Sequence, residues 1–129
     1  MSGPVSHTEL LRRTIALRKS RNKIVADGIF ADPAWEMLLD LYLAFLENRS
    51  VSVTSLCIAA AVPPTTALRY LQNLVKLQMV TRTRDGRDGR RVYVTLTKSA
   101  RRKMADWADI GSAYSADHTP INRVSVTAS

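Results

Sequence analysis

The stretch Val53-Thr54-Ser55-Leu56-Cys57-Ile58-Ala59-Ala60-Ala61-Val62, followed at once by Pro63-Pro64-Thr65-Thr66-Ala67-Leu68-Arg69-Tyr70-Leu71, decides the fold. Its first half reads as a short helix with Ser52 or Thr54 as candidate cap, Leu56 and Ala59 turned inward, and small Ala60 and Ala61 where a second helix must come close. The two prolines break that helix, and Pro64 suits the first turn of the next. The second helix, over about 64–77, is expected to bury Leu68, Leu71, Leu74, Val75 and Leu77 and to show Thr65, Thr66, Arg69, Tyr70 and Asn73 on its other face.

Downstream, Met79 to Arg84 and Arg91 to Leu96 both alternate, with Val80, Val92, Val94 and Leu96 as the inward set. Between them Asp85-Gly86-Arg87-Asp88-Gly89-Arg90 holds the residue types that tolerate a reversing loop. Two helices with a tight break, then a basic two-stranded ribbon, spell a winged helix-turn-helix. The fold class is therefore mainly α with a small β-hairpin, an α+β chain with helices flanking the winged unit at both ends.

Upstream, Asp32-Pro33-Ala34-Trp35-Glu36 has the grammar of a helix start, and the helix should run to about Glu47. Trp35, Leu38, Leu39, Tyr42, Phe45 and Leu46 keep spacings of three and four and make this the main core helix. Val51-Ser52-Val53 alternates as a very short strand would. From about His7 to Ala26, apolar residues recur only loosely among Arg12, Arg13, Arg18, Lys19, Arg21 and Lys23. With so few large apolar residues, residues 1–31 read as a basic arm that packs on a second subunit; a solvated basic helix is the competing reading. Residues 32–110 form the winged unit. A last helix starts at Thr97, with Ala100, Met104 and Trp107 on its apolar side, and fades near Ile110-Gly111-Ser112, leaving 111–129 as a flexible polar tail.

A chain of 129 residues suits one domain with a modest core. It is 46% hydrophobic and 23% charged, far from the profile of a disordered chain, and no apolar run is long enough to span a bilayer. The polar start lacks a signal-peptide core, so a cytoplasmic location is expected. Cys57 is the only cysteine, which excludes an internal disulfide and a cysteine metal cluster. It reads as a small buried apolar residue, with a redox-sensing thiol as the alternative.

The net charge is +8, which favours polyanionic partners, and its distribution is uneven. From Gly28 to Val62 acids outnumber bases; from Pro63 to Ala105 the only acids are Asp85 and Asp88. Arginine donates bidentately to guanine, asparagine pairs with adenine, and threonine suits a thymine methyl or a phosphate oxygen. Thr65, Thr66, Arg69, Tyr70 and Asn73 on one helix face, with Arg84, Arg87, Asp88, Arg90 and Arg91 in the hairpin, are therefore the candidate residues for double-stranded DNA. An arginine held by Asp88 at the hairpin tip, namely Arg90, would suit the negative potential of a narrow minor groove.

These segments resemble the MarR-type winged-helix transcription regulators. The carrying residues are Pro64 to Leu71, Leu77-Gln78-Met79-Val80, and Asp85 to Val92 followed by Val94-Thr95-Leu96-Thr97. The likeness covers about Ala34 to Met104 and is most specific in the wing, where Asp88 and Arg90 fall on that family's acid and minor-groove arginine. It implies a homodimer on a pseudo-palindromic duplex, with the Thr65 to Asn73 face in each major groove and residues 85–91 in the minor groove. The short last helix departs from the family's long terminal helices, and no effector ligand is named by the sequence. An enzyme is not expected, because the two histidines, His7 and His118, lie toward the chain ends, read as mobile, and no phosphate loop, metal cluster or activated nucleophile stands in the sequence; no cofactor is expected. The rival is a winged-helix module for protein–protein or RNA interaction, although Tyr70 and Tyr93 are the only aromatics offered for stacking on a single strand.

Overall fold

The structure is a computed structural model that describes residues 6–24, 32–87 and 89–118. Its elements follow in the order α1 (His7–Ile24), α2 (Pro33–Leu46), β1 (Val51–Ser52), α3 (Val53–Ala59), α4 (Pro64–Lys76), β2 (Val80–Arg84), β3 (Val92–Leu96) and α5 (Lys98–His118). The sheet is antiparallel in the order β1-β3-β2, with Val80 opposite Leu96 and Val51 opposite Val94. The pleat puts Val51, Val80, Val94 and Leu96 on the buried face and leaves Thr81, Thr83 and Thr95 in water, as the alternation requires, while Arg82, opposite Val94 on the inward side, is exposed as well.

Helix α2 is the spine: Met37, Leu38, Leu39, Leu41, Tyr42, Leu43 and Ala44 are all buried. Phe45, expected on that stripe, instead faces out, where the Arg101 guanidinium lies 5.0 Å over its ring. Helix α3 is capped by Ser52, whose Oγ accepts from Ser55 N at 3.1 Å. It stops at Ala59, ahead of the prolines, because Ala61 turns the chain left-handed at φ 60°. Helices α2 and α4 end the same way, on Asn48 and Gln78 at positive φ. In each case the next amide reaches back, Arg49 N to Ala44 O at 2.8 Å and Met79 N to Leu74 O at 3.0 Å. Thr97 then ties the start of α5 to the end of α4: its hydroxyl donates to Gln78 O at 2.8 Å and accepts from Ala100 N at 3.1 Å.

Two expectations about the flanking helices are corrected. The first is that α1 lacks a partner within the domain. Leu11 is fully buried and Leu10 nearly so, packed among the core residues that α2 and α5 supply. The basic residues of α1 find the acids of α2: Arg18 Nε donates to Glu36 Oε2 at 2.6 Å, and Arg12 pairs with Glu47. Ile15 packs against the same core, and the ion pairs lie along the helix's flank. His7 opens the helix rather than fraying: its Nε2 donates to the Asp109 carboxylate at 2.7 Å, and in the neutral ring Nδ1 then accepts the Tyr42 hydroxyl at 2.9 Å.

The second correction concerns α5, which runs 21 residues to His118 instead of fading near Ile110. Gly111, read as a terminator, is a packing residue. A Cβ there would stand 2.8 Å from Leu10 Cδ2, so its absence lets α1 lie close. Of the expected tail, 111–118 are therefore helical and 119–129 lie outside the described residues.

Candidate nucleic-acid interface

Helix α4 is held by its apolar side. Ala67, Leu71 and Leu74 are buried, whereas Leu68 is 39% and Leu77 62% exposed, so two leucines expected in the core lie outside it. The α4 inner face is narrower than the leucine spacing suggests, because Ala67, Leu71 and Leu74 make it up. On the outer side Thr65, Arg69, Tyr70 and Asn73 are exposed and Thr66 is half-buried. Arg69, Tyr70 and Asn73 share one surface depression with Gln72 and Lys76, both overlooked in the sequence. Their signal was present: Gln72 follows Arg69 by three positions and Lys76 follows Gln72 by four, one stripe of the helix.

The wing is organised by Asp85. Its amide donates to Arg91 O at 2.8 Å across the hairpin, and its carboxylate accepts from Arg87 N at 2.9 Å. Arg84 is turned onto the Gly89 carbonyl and so braces the loop. Asp88, expected to hold Arg90, lies outside the described residues. Arg90 and Arg91 come together with Arg82 around an open cleft of about 780 Å³, whose opposite wall is the start of α3 at Ser52, Thr54 and Ser55. Arg82 is a second residue missed; it is exposed although it shares the face of Val80 and stands opposite Val94, so the alternation alone would have turned it inward.

The electrostatics separate the two halves of the molecule. Around α1 and α2 each of Arg12, Arg13, Arg18 and Arg49 faces a carboxylate. The Arg49 hydrogen bond, with Arg12 beside it, holds Glu47 below the ordinary carboxylate range. On α4 and β2, Arg69, Lys76 and Arg82 have no ion pair among the described residues. Cys57 is a buried residue of α3, and desolvation pushes its thiol above the usual range, which fits a packing role.

Comparison with known proteins completes the site. A family model described as transcriptional regulator SarA/Rot matches residues 38–107, more than half of the chain. No curated protein matches the sequence. Among solved structures, the MepR–DNA complex of S. aureus superposes with a TM-score of 0.59 at 18% identity, over 90% of this chain and 86% of that one. The adhesin competence repressor AdcR of Streptococcus pyogenes gives 0.51 at 18% identity, over 88% of this chain and 77% of that one. At such identities the likeness is one of fold, the winged helix of MarR-type regulators, and it extends over the flanking helices as well as the wing. With helix, wing and family match in agreement, the chain belongs to the SarA/Rot family of transcriptional regulators.

Proposed function

We propose that the protein is a sequence-specific double-stranded DNA-binding regulator, acting in the cytoplasm as a homodimer, with α4 in the major groove and the 85–91 wing in the minor groove of each half-site. The observation that carries this reading is the contrast in charge handling. Arg12, Arg13, Arg18 and Arg49 are each matched by a carboxylate, whereas Arg69, Lys76 and Arg82, on α4 and β2, have no carboxylate partner among the described residues. Such a surface is stabilised by phosphates.

Roles follow from position. Thr65, Arg69, Gln72 and Asn73 stand where base edges would be read, with Thr66 and Tyr70 toward the flanking strand. Lys76 and Arg82 bind phosphate, Arg87, Arg90 and Arg91 serve the wing, and Arg84 with Asp85 holds the loop in shape. Asp88 stays assigned to the wing on its sequence position. Leu17 on α1 and Ile110 on α5, 70% and 71% exposed, are the apolar residues through which the flanking helices meet a second copy. MepR, a fold relative, was solved as a complex with DNA, which supports a DNA partner. No helix of the described residues is long and apolar enough to cross a membrane, which supports a free regulator.

The test compares a labelled duplex enriched from a random pool with its single strand and with a scrambled duplex. Preference for the enriched duplex is expected. Equal binding to the single strand would favour the RNA reading, and no binding to any nucleic acid would favour a protein partner.

A further inference from the structure

Between α3 and α4 the surface opens into an apolar groove of about 420 Å³, floored by Cys57 and Val62 and walled by Thr54 and Ile58 on one helix and Pro64 and Leu68 on the other. Its upper edge is left in water: Ile58 is 75% exposed and Leu68 39%. Neither residue is needed there for the core, since Leu56 and Leu71 fill the inward positions of the same helices. No acid lines the groove. On one side Thr54 is shared with the cleft of Arg82, Arg90 and Arg91, and on the other Leu68 adjoins Arg69. The apolar patch therefore adjoins the arginine cleft on its Thr54 side.

We propose that this groove reads thymine, with Ile58 and Leu68 packing on C5-methyl groups at the edge of the half-site where the first turns of α4 enter the major groove. The inference rests on the DNA-binding reading above and names a specificity element within it. The arginine cleft beside the groove selects a polyanion, which a hydrophobic protein partner is not, and the apolar group that a DNA major groove presents is the thymine methyl. Pro64 and Leu68 lie in the first and second turns of α4, beside Thr65 and Arg69, so the patch continues the base-reading face. The surface thus offers hydrogen-bond donors along the α4 stripe and methyl recognition at its flank, and the second favours DNA over an RNA helix of the same sequence, in which uracil carries no methyl group.

The experiment uses the full chain and the duplex enriched from a random pool, with each thymine replaced in turn by deoxyuridine, which removes only the methyl. One or two positions per half-site are expected to weaken binding about fourfold each, the value of one buried methyl-sized group. In Ile58→Ala/Leu68→Ala those positions should become indifferent to the methyl, while the Arg69→Ala variant keeps the discrimination. Ile58→Ala alone, at a mostly exposed position, provides a variant whose fold is not at risk. Indifference of the wild type to deoxyuridine at every position overturns the proposal, as does unchanged discrimination in the double variant. A double variant that changes oligomeric state and not methyl sensitivity would assign the groove to a second copy of the chain and overturns it too. A chain that binds no duplex at all sinks the DNA-binding reading itself, an outcome distinct from binding that ignores the methyl.

Discussion

Arg18 and Arg69 are both helical arginines, and the protein treats them in opposite ways. Arg18 is held between α1 and α2, its Nε 2.6 Å from Glu36 and Asp32 at the edge of reach at 3.9 Å. Arg69 stands on the open face of α4 with no carboxylate partner among the described residues. The same contrast runs through the two regions around them. Between α1 and α2, Arg12 and Arg18 serve to fasten one helix to the other. On α4 and β2, Arg69, Lys76 and Arg82 have no ion pair among the described residues. Net charge alone does not distinguish these uses, because a base counts the same whether or not an acid faces it.

The strongest way to break this comparison is the salt dependence of binding. Each wing arginine that neutralises a phosphate contributes a slope of about −0.9 in log K against log salt. Changing Arg87 and Arg90 together to Ala should therefore remove about two to four units of slope from a dimer with both wings engaged. The melting temperature should hardly move, since exposed loop substitutions shift stability by less than about 0.5 kcal/mol. Arg13→Ala, on an exposed scaffold residue paired with Glu9 at 2.9 Å, should leave the slope unchanged. Equal slopes for wild type and wing variant would remove the wing from the DNA.

Next in size is the scaffold's dependence on α1. Leu11→Ala deletes a fully buried side chain and should cost about 2–5 kcal/mol in denaturant unfolding. Leu77→Ala, at a position 62% exposed, should cost less than about 0.5 kcal/mol. Similar values for the two would mean that α1 does not pack on α2 and α5 in solution. Smaller again, Arg69→Ala should weaken the preferred duplex by about 1–3 kcal/mol and relax preference at one base pair. Equal weakening on random duplex would reduce Arg69 to a phosphate contact.

The reading lobe was more legible in the sequence than the scaffold, and the reason is physical. The helix break at Pro63-Pro64, the cap at Ser52 and the strand alternation are local signals, each set by a few neighbouring residues. The place of α1 depends on residues far apart: Leu10 against Gly111, Arg18 against Glu36, His7 between Tyr42 and Asp109. Gly111 shows the difficulty, because the same residue type ends helices and allows their close approach. On α4 the polar face was recognised but its width was not. Leu68 and Leu77 carry leucine spacing, and nothing local says that Ala67 takes the buried place instead. Gln72 and Lys76 were legible by spacing alone.

The smallest effect concerns a scaffold charge that its partners do not fully satisfy. Asp40 lies on α2, and burial raises its pKa from the ordinary value despite the nearby Arg49 and Lys19. A carboxyl whose folded pKa is raised resists ionisation in the folded state. Below the unfolded value it is neutral in both states and costs nothing. As pH rises through the folded value, the folded chain carries a partly desolvated charge, and stability falls relative to a chain without it. Asp40→Asn should therefore match wild type at acid pH and exceed it by a fraction of a kcal/mol at neutral pH. The pair is compared by denaturant unfolding across that range, with the same duplex affinity expected for both. Glu47 has the opposite sign: held low by Arg49 and Arg12, its carboxylate contributes stability above the ordinary range that is lost as pH falls through its depressed pKa. If Asp40→Asn is instead the less stable protein at neutral pH, attraction to Arg49 and Lys19 outweighs burial, and Asp40 joins the other scaffold charges as a fastening between helices.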